Sequence, residues 1–102
     1  MRVVAYVTDL MDRSRFVGID AEVTFVRSAV QLSEKAVDAD IVVLDLSKAD
    51  ALDALPSLSG TRVVGFASHV DTATIEAARA AGVSEVLPRS RFFSRIVALL
   101  AH

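Results

Sequence analysis

The distribution of apolar residues along the chain is the feature that most limits how it can fold. Four runs are short, rich in β-branched residues and almost continuously apolar: residues 3–7, 23–26, 41–46 and 63–66. A fifth and weaker run covers residues 84–87. Such runs are typical of strands in a parallel sheet covered on both faces, where neither side of a strand meets water.

The segments between these runs have helical features. The clearest helix is predicted to begin after Asp71, a residue type that caps helix N-termini, and to stop at Gly82. Shorter helices are predicted at residues 10–17 and at 49–58, the second interrupted by Pro56. Strands that alternate with helices predict βαβ units with right-handed crossovers, and therefore an α/β fold.

The closing segment, residues 91–100, is predicted to be a helix with two adjacent apolar stripes. One stripe carries Phe92, Ile96 and Leu99, and the other carries Phe93, Val97 and Leu100. This apolar face is wider than one contact with a sheet requires. We therefore expect the second stripe to form a dimer interface and the chain to be a homodimer.

Length and composition limit the classes of protein that remain. The chain has 102 residues, which is enough for a single domain over residues 1–102 with one core. Apolar residues make up 53% of it, yet no run approaches the ~18 residues that a membrane span needs, so we expect no membrane association. No secretory start is present, which predicts a cytoplasmic protein.

Charge and cysteine content exclude further classes. The chain has no cysteine, which excludes disulfides, thiolate metal sites and cysteine nucleophiles. Its formal net charge of −2 argues against nucleic acid as a partner. The local exception is a basic cluster near the C-terminus formed by Arg89, Arg91 and Arg95.

Polar residues follow the predicted strands at the points where ligands bind in open parallel sheets. These residues are Thr8 and Asp9 after the first strand, Asp45 and Ser47 after the third, Ser68 and His69 after the fourth, and Arg89 after the fifth. No glycine-rich phosphate loop, Gly-x-Ser-x-Gly elbow or pair of metal-spaced histidines is present. The sequence therefore predicts no catalytic residues and no enzyme.

Two stretches of sequence are similar to response-regulator receivers. Residues 39–46, Ala-Asp-Ile-Val-Val-Leu-Asp-Leu, resemble the third strand of that family, with Asp45 as the phosphoacceptor. Residues 80–87, Ala-Ala-Gly-Val-Ser-Glu-Val-Leu, resemble the turn and fifth strand before the family's lysine. The resemblance spans nearly the whole chain. It implies a flavodoxin-like three-layer αβα sandwich with a five-stranded parallel sheet in the order 2-1-3-4-5.

The sequence departs from the receiver pattern at several functional positions. Thr8 stands where the resemblance implies one of two magnesium-binding acids, although Asp12 lies one helical turn away. Ala67 occupies the switch position, and the hydroxyl of Ser68 is displaced by one residue. Arg89 replaces the lysine. These departures are those of a degenerate pseudo-receiver.

The strand-end residues allow more than one interpretation. Asp9 and Asp45 are candidate ligands of Mg²⁺, or else Asp9 caps a helix and Asp45 ends a strand. Arg89 either grips the carboxylate of Asp45 or is a solvated basic residue. Together with Ser68 it is also a candidate contact for a phosphate or carboxylate.

Three functions follow from these interpretations. The leading hypothesis is a pseudo-receiver without a cofactor, a signalling or scaffolding domain of a bacterial cytoplasm that acts through contacts with other proteins. The first alternative is a receiver that takes up phosphate on Asp45 with Mg²⁺. The second is a module that binds a small anionic ligand at the carboxyl ends of the strands.

Overall fold

The computed structural model describes residues 1–58, 60–83 and 85–100, and a five-stranded parallel sheet forms its centre. The strands are β1 (Arg2–Tyr6), β2 (Glu22–Val26), β3 (Ile41–Asp45), β4 (Arg62–Ala67) and β5 (Glu85–Pro88). Their order is β2-β1-β3-β4-β5, and every pair is parallel. The predicted α/β fold and strand order are confirmed. Ser84, the first residue of the predicted fifth strand, lies outside the described residues.

Short helices connect the strands. They are α1 (Leu10–Ser14), α2 (Ala29–Lys35), α3 (Thr72–Ala80), α4 (Arg89–Ser94) and α5 (Ile96–Leu99), with 3₁₀ turns at Ala36–Asp38 and Leu55–Leu58. Asp71 caps α3 by accepting a hydrogen bond from Thr74 N at 3.2 Å, as its sequence predicts. Gly82 follows with a φ of +105°, a conformation that suits glycine at the end of a helix. In the described part of the chain no helix has the length and hydropathy of a membrane span.

The predicted third helix, residues 49–58, is not an α-helix. This stretch consists of turns and the 3₁₀ segment Leu55–Leu58, and its backbone hydrogen bonds join residues three apart. Pro56 has no N–H to donate to an α-helical carbonyl, and its ring clashes with the preceding turn. The crossover from β3 to β4 therefore covers the sheet without a regular helix.

The closing helix also differs from the prediction. Instead of one helix over residues 91–100, α4 begins at Arg89 and α5 begins at Ile96. Arg95, with φ −112° and ψ 9°, separates them. Around this break Phe92, Phe93, Ile96 and Leu100 are buried in the chain's own core, whereas Val97 is exposed.

Two apolar clusters cover the two faces of the sheet, and together with it they make the predicted three layers. One lies under α2, α3 and the crossover. The other lies under α1, α4 and α5, and its centre is an aromatic cluster of Phe16, Phe25, Phe66, Phe92 and Phe93. Phe66 stacks on Phe92 at 4.9 Å between centroids, and Phe16 meets Phe25 edge-on at 5.3 Å.

Gly65 in the middle of β4 lets the crossover lie close to the sheet. Leu46, the first residue after β3, donates its N–H to Phe66 O at 2.9 Å and is 6% exposed. A Cβ placed on Gly65 would lie 2.9 Å from Leu46 Cδ1 and 3.1 Å from its Cγ. The absence of a side chain at Gly65 therefore makes the room that Leu46 fills.

We expect Gly65→Ala to lower the free energy of unfolding by about 1–3 kcal/mol, because the added methyl group overpacks a filled site. Urea unfolding followed by circular dichroism measures the change. In a Leu46→Ala background the overlap is absent, so Gly65→Ala should cost much less there. An equal cost in both backgrounds would show that Leu46 is not the cause.

Candidate functional site

The carboxyl ends of β1, β3 and β5 bring four charged residues to one edge of the sheet. Asp9 follows β1, Asp12 lies on α1, Asp45 ends β3, and Arg89 begins α4 directly after β5. Asp12 and Asp45 are buried, being 2% and 6% exposed, and are the chain's two buried charged residues in the described ranges. This edge is the candidate functional site.

An ion pair between Arg89 and Asp12 crosses this edge. Arg89 Nη2 donates to Asp12 Oδ1, and the two side chains are 45% and 3% exposed. The guanidinium also lies over the rings of Phe93 and Phe66, at 5.3 and 5.7 Å from their centroids. A buried carboxylate thus receives its counter-charge from an arginine that the aromatic cluster holds in place.

The acidic surroundings affect the basicity of the arginine. The hydrogen bond to Asp12 is the main cause that raises the pKa of Arg89 above its ordinary value, and burial opposes it. The negative charges of Asp12, Asp45 and Asp9 raise that pKa further. All three carboxylates at this edge therefore favour the charged form of Arg89, and Asp12 alone is bonded to it.

Arg89 does not form the predicted contact with Asp45, and its partner is Asp12 instead. Asp12 lies at the third position of α1, where its side chain turns inward and meets the guanidinium. Asp45 is bound locally instead: its Oδ1 accepts from Ser47 N at 3.0 Å and from Ser47 Oγ at 2.7 Å. Arg89 and Asp45 interact through charge and not through the bidentate grip that the sequence suggested.

Asp9 and Asp45 both have the structural roles that the sequence left open. Asp9 caps α1 by accepting from Asp12 N at 3.1 Å, and Asp45 ends β3 in a turn closed by Ser47. Among residues 1–58, 60–83 and 85–100 no group of three or more His, Asp or Glu side chains is placed to hold a metal ion. The side chain of Asp12 is bound by Arg89, which leaves Asp9 and Asp45 as the carboxylates of this edge outside that ion pair.

The residues after β4 lie apart from this ion pair. Ala67 is the last residue of β4 and is 4% exposed, so an apolar methyl group occupies the predicted switch position. Ser68 and His69 are exposed in the turn that follows. Within the described ranges, the side chain of Ser68 makes no hydrogen bond to Arg89, its predicted co-ligand for an anion.

Two of the three residues predicted for a dimer interface are buried within the chain itself. Phe93 is 8% exposed and Leu100 is 0% exposed, because both pack into the cluster under α1, α4 and α5. Phe93 contacts Phe16 and Phe66 edge-on, at 6.2 and 5.2 Å between centroids. Val97, at 66% exposed, is the one residue of the three that a partner can reach.

A polar contact that was not predicted from the sequence involves Tyr6, in the cluster under α2, α3 and the crossover. Tyr6 Oη donates to Asp50 Oδ1 at 2.5 Å, and Asp50 Oδ2 accepts from Ala29 N at 3.1 Å in the first turn of α2. Burial is the main cause that raises the pKa of Tyr6 to about 12, and the hydrogen bond to Asp50 adds to it. The hydrogen bond from Tyr6 in turn lowers the pKa of Asp50. A tyrosine in an apolar strand signals that a polar partner exists.

Known proteins match this chain in structure. No family model matches the chain, and no curated protein matches its sequence. A response regulator from Hahella chejuensis matches with a TM-score of 0.81 and 20% identity, over 97% of this chain and 91% of that one. Response regulator RPA3017 in red light signaling of R. palustris matches with a TM-score of 0.75 and 18% identity, over 96% and 90%. The chain therefore has the receiver-like fold that its sequence resembles.

We expect Arg89→Gln to lower the free energy of unfolding by about 2–3 kcal/mol, because it leaves the buried carboxylate of Asp12 without a counter-charge. Denaturant unfolding near neutral pH measures it. Arg91→Gln, on the same helix but exposed, is the matched control and should change stability by less than about 0.5 kcal/mol. Equal effects of the two substitutions would contradict the role of the ion pair.

Tyr6 is the single tyrosine of the chain, so its titration can be followed by itself. In the folded protein its phenol should titrate near pH 12, and in the unfolded chain near 10. Between these values the folded state keeps a proton that the unfolded state loses, so stability should fall as pH rises. Tyrosinate absorbance measures both titrations.

Asp50→Asn tests the cause of this shift. The substitution removes the charge that opposes a tyrosinate, so the folded pKa of Tyr6 should move down toward 10 while burial keeps part of the shift. A wild-type phenol that titrates near 10 in the folded state would contradict the contact.

Proposed function

We propose that this chain is a pseudo-receiver, a signalling or scaffolding domain that acts through contact with another protein and does not take up phosphate on Asp45. The observation that carries the proposal is the ion pair between Arg89 and Asp12 at the functional edge. It supplies the positive charge of the edge from within the chain. In this proposal the side chain of Arg89 balances negative charge at the edge, in place of a bound metal ion.

Phosphoryl transfer to an aspartate needs two things that this edge provides poorly. It needs a divalent cation on the phosphoryl oxygens, held by carboxylates with free lone pairs. Thr8 offers a hydroxyl in place of one carboxylate, and Asp12 is bound by Arg89. It also needs an accessible acceptor oxygen, and Asp45 is 6% exposed with Oδ1 bonded twice to Ser47.

A phosphoryl group on Asp45 would also lack a route to a conformational change. A switch of this kind needs a hydroxyl or a cation that moves to the new phosphoryl oxygens. Ala67 has no polar atom in its side chain, and Ser68 is exposed beyond the end of β4. Arg89 can bind phosphate, but its Nη2 already donates to Asp12.

The alternative of a small anionic ligand has less support. Its predicted contacts, Arg89 and Ser68, make no hydrogen bond to each other within the described residues. A cavity beside the edge is lined by Leu46, Ser47, Lys48, Ala49, Leu52, Thr74 and Ala77, and neither predicted contact belongs to it. One lysine does not by itself make an anion site.

Incubation with Mg²⁺ and acetyl phosphate or phosphoramidate tests the proposal. We expect no adduct in the intact mass of the wild-type chain and no Mg²⁺-dependent amide shifts on addition of beryllofluoride. A phosphate adduct that disappears in Asp45→Asn would overturn the proposal in favour of a phosphoaccepting receiver.

A matched variant shows whether the three departures from the receiver pattern are the reason. Thr8→Asp, Ala67→Thr and Arg89→Lys together supply the carboxylate, the hydroxyl and the lysine that the resemblance implies. We expect this triple variant to take up phosphate on Asp45 or to bind beryllofluoride. A triple variant that folds, as circular dichroism would show, and remains inert places the cause elsewhere, in the turn that binds Asp45 to Ser47.

A further inference from the structure

The charges of the chain are divided unevenly between the two faces of the fold. We call residues 10–19 and 89–100, which form α1, α4, α5 and their flanking turn on one face, the basic layer. It carries five arginines, Arg13, Arg15, Arg89, Arg91 and Arg95, and a single carboxylate, that of Asp12. The rest of the chain carries six basic and twelve acidic side chains. The basic layer therefore has an excess of positive charge, and Asp9 and Asp20 lie directly before and after its first segment.

The aromatic cluster fixes three of these guanidinium groups. Arg13 Cζ lies 5.0 Å from the centroid of Phe25, and Arg13 Nε donates to Val7 O at 2.7 Å. Arg15 and Arg89 both lie over the ring of Phe93, at 5.0 and 5.3 Å. Guanidinium groups held in this way present their N–H edges without a further loss of side-chain entropy on binding.

The other arginines of the layer are exposed, Arg91 on α4 and Arg95 directly after it. Arg91 and Arg95 are one helical turn apart, and Arg95 N donates to Arg91 O at 3.1 Å. Within the described ranges neither forms an ion pair, and nor do Arg13 and Arg15. By contrast, Arg62 outside the layer is paired with Glu85 at 2.6 Å. The basic layer thus has four guanidinium groups whose charge is not neutralised by the described chain.

Apolar side chains lie among these arginines. Leu10 and Met11 on α1 are 77% and 78% exposed, and Val97 on α5 is 66% exposed. Methionine and arginine are both enriched in protein–protein interfaces, where an apolar contact and a charge-assisted hydrogen bond act together. The layer therefore has the composition of a surface that binds a polypeptide.

We infer that the basic layer binds an acidic polypeptide segment, rich in Glu or Asp and carrying apolar side chains between them. This inference rests on the proposed function, in which the chain acts by contact with another protein. Carboxylates fit the forked N–H edges of arginine, and the exposed side chains of Leu10, Met11 and Val97 match the apolar residues between them. A long polyanion such as nucleic acid also meets the acidic remainder of the chain, which repels it.

Fluorescence anisotropy with a labelled synthetic peptide of repeated Glu-Glu-Leu units tests this inference. We expect binding to wild type that weakens as salt is raised, because the interaction is largely between exposed charges. Arg91→Glu with Arg95→Glu should weaken binding by about tenfold or more. The matched control is Arg27→Glu with Arg79→Glu, which reverses two exposed arginines outside the basic layer and should change affinity by less than about twofold.

Three results would overturn the inference: no binding of the peptide at low salt, an equal loss in the two reversal variants, or tighter binding to duplex DNA or to phosphatidylglycerol vesicles. Circular dichroism confirms that each variant is folded. The outcome is separable from that of the phosphodonor experiment. Failure of the peptide to bind removes the assigned partner class and leaves the phosphate result unchanged, whereas phosphate uptake on Asp45 removes the proposed function whatever the peptide does.

Discussion

A parallel sheet of apolar strands is stable in water only when both of its faces are covered, and this chain covers them with very short helices. The longest, α3, has nine residues, and α1 has five. Side chains must therefore do much of the covering, which is why five phenylalanines gather under α1, α4 and α5. The same requirement explains Gly65, whose missing side chain lets Leu46 cover the sheet where no helix does.

The need to cover both faces of the sheet also explains which features could be predicted from the sequence and which could not. The strands were predictable because continuous apolar character is a local property, and the caps at Asp9 and Asp71 were predictable for the same reason. The burial of Phe93 and Leu100 within the chain could not be predicted, because a pattern of apolar residues does not say whether a partner or the chain's own sheet buries them. In the structure the chain's own sheet and helices bury both residues.

The candidate site shows the same limit more sharply. The sequence predicted that Asp9, Asp45 and Arg89 follow or end three strands at one edge of the sheet, and in the structure they lie there. It did not predict that Asp12 would take the guanidinium, since the choice between two nearby carboxylates depends on the direction of side chains from α1 and β3. For the same reason Tyr6 pointed to a buried polar contact but not to Asp50, which is 44 residues away.

The bond between Tyr6 and Asp50 has a consequence for the motions of the fold. Asp50 belongs to the crossover that lacks a helix, yet it also accepts the N–H of Ala29 at the start of α2. Opening of the crossover therefore removes the acceptor of Tyr6 Oη and that of Ala29 N in the same event. Segments joined in this way open cooperatively, so we expect the amide protons of the crossover and of Ala29 to exchange with solvent as one unit.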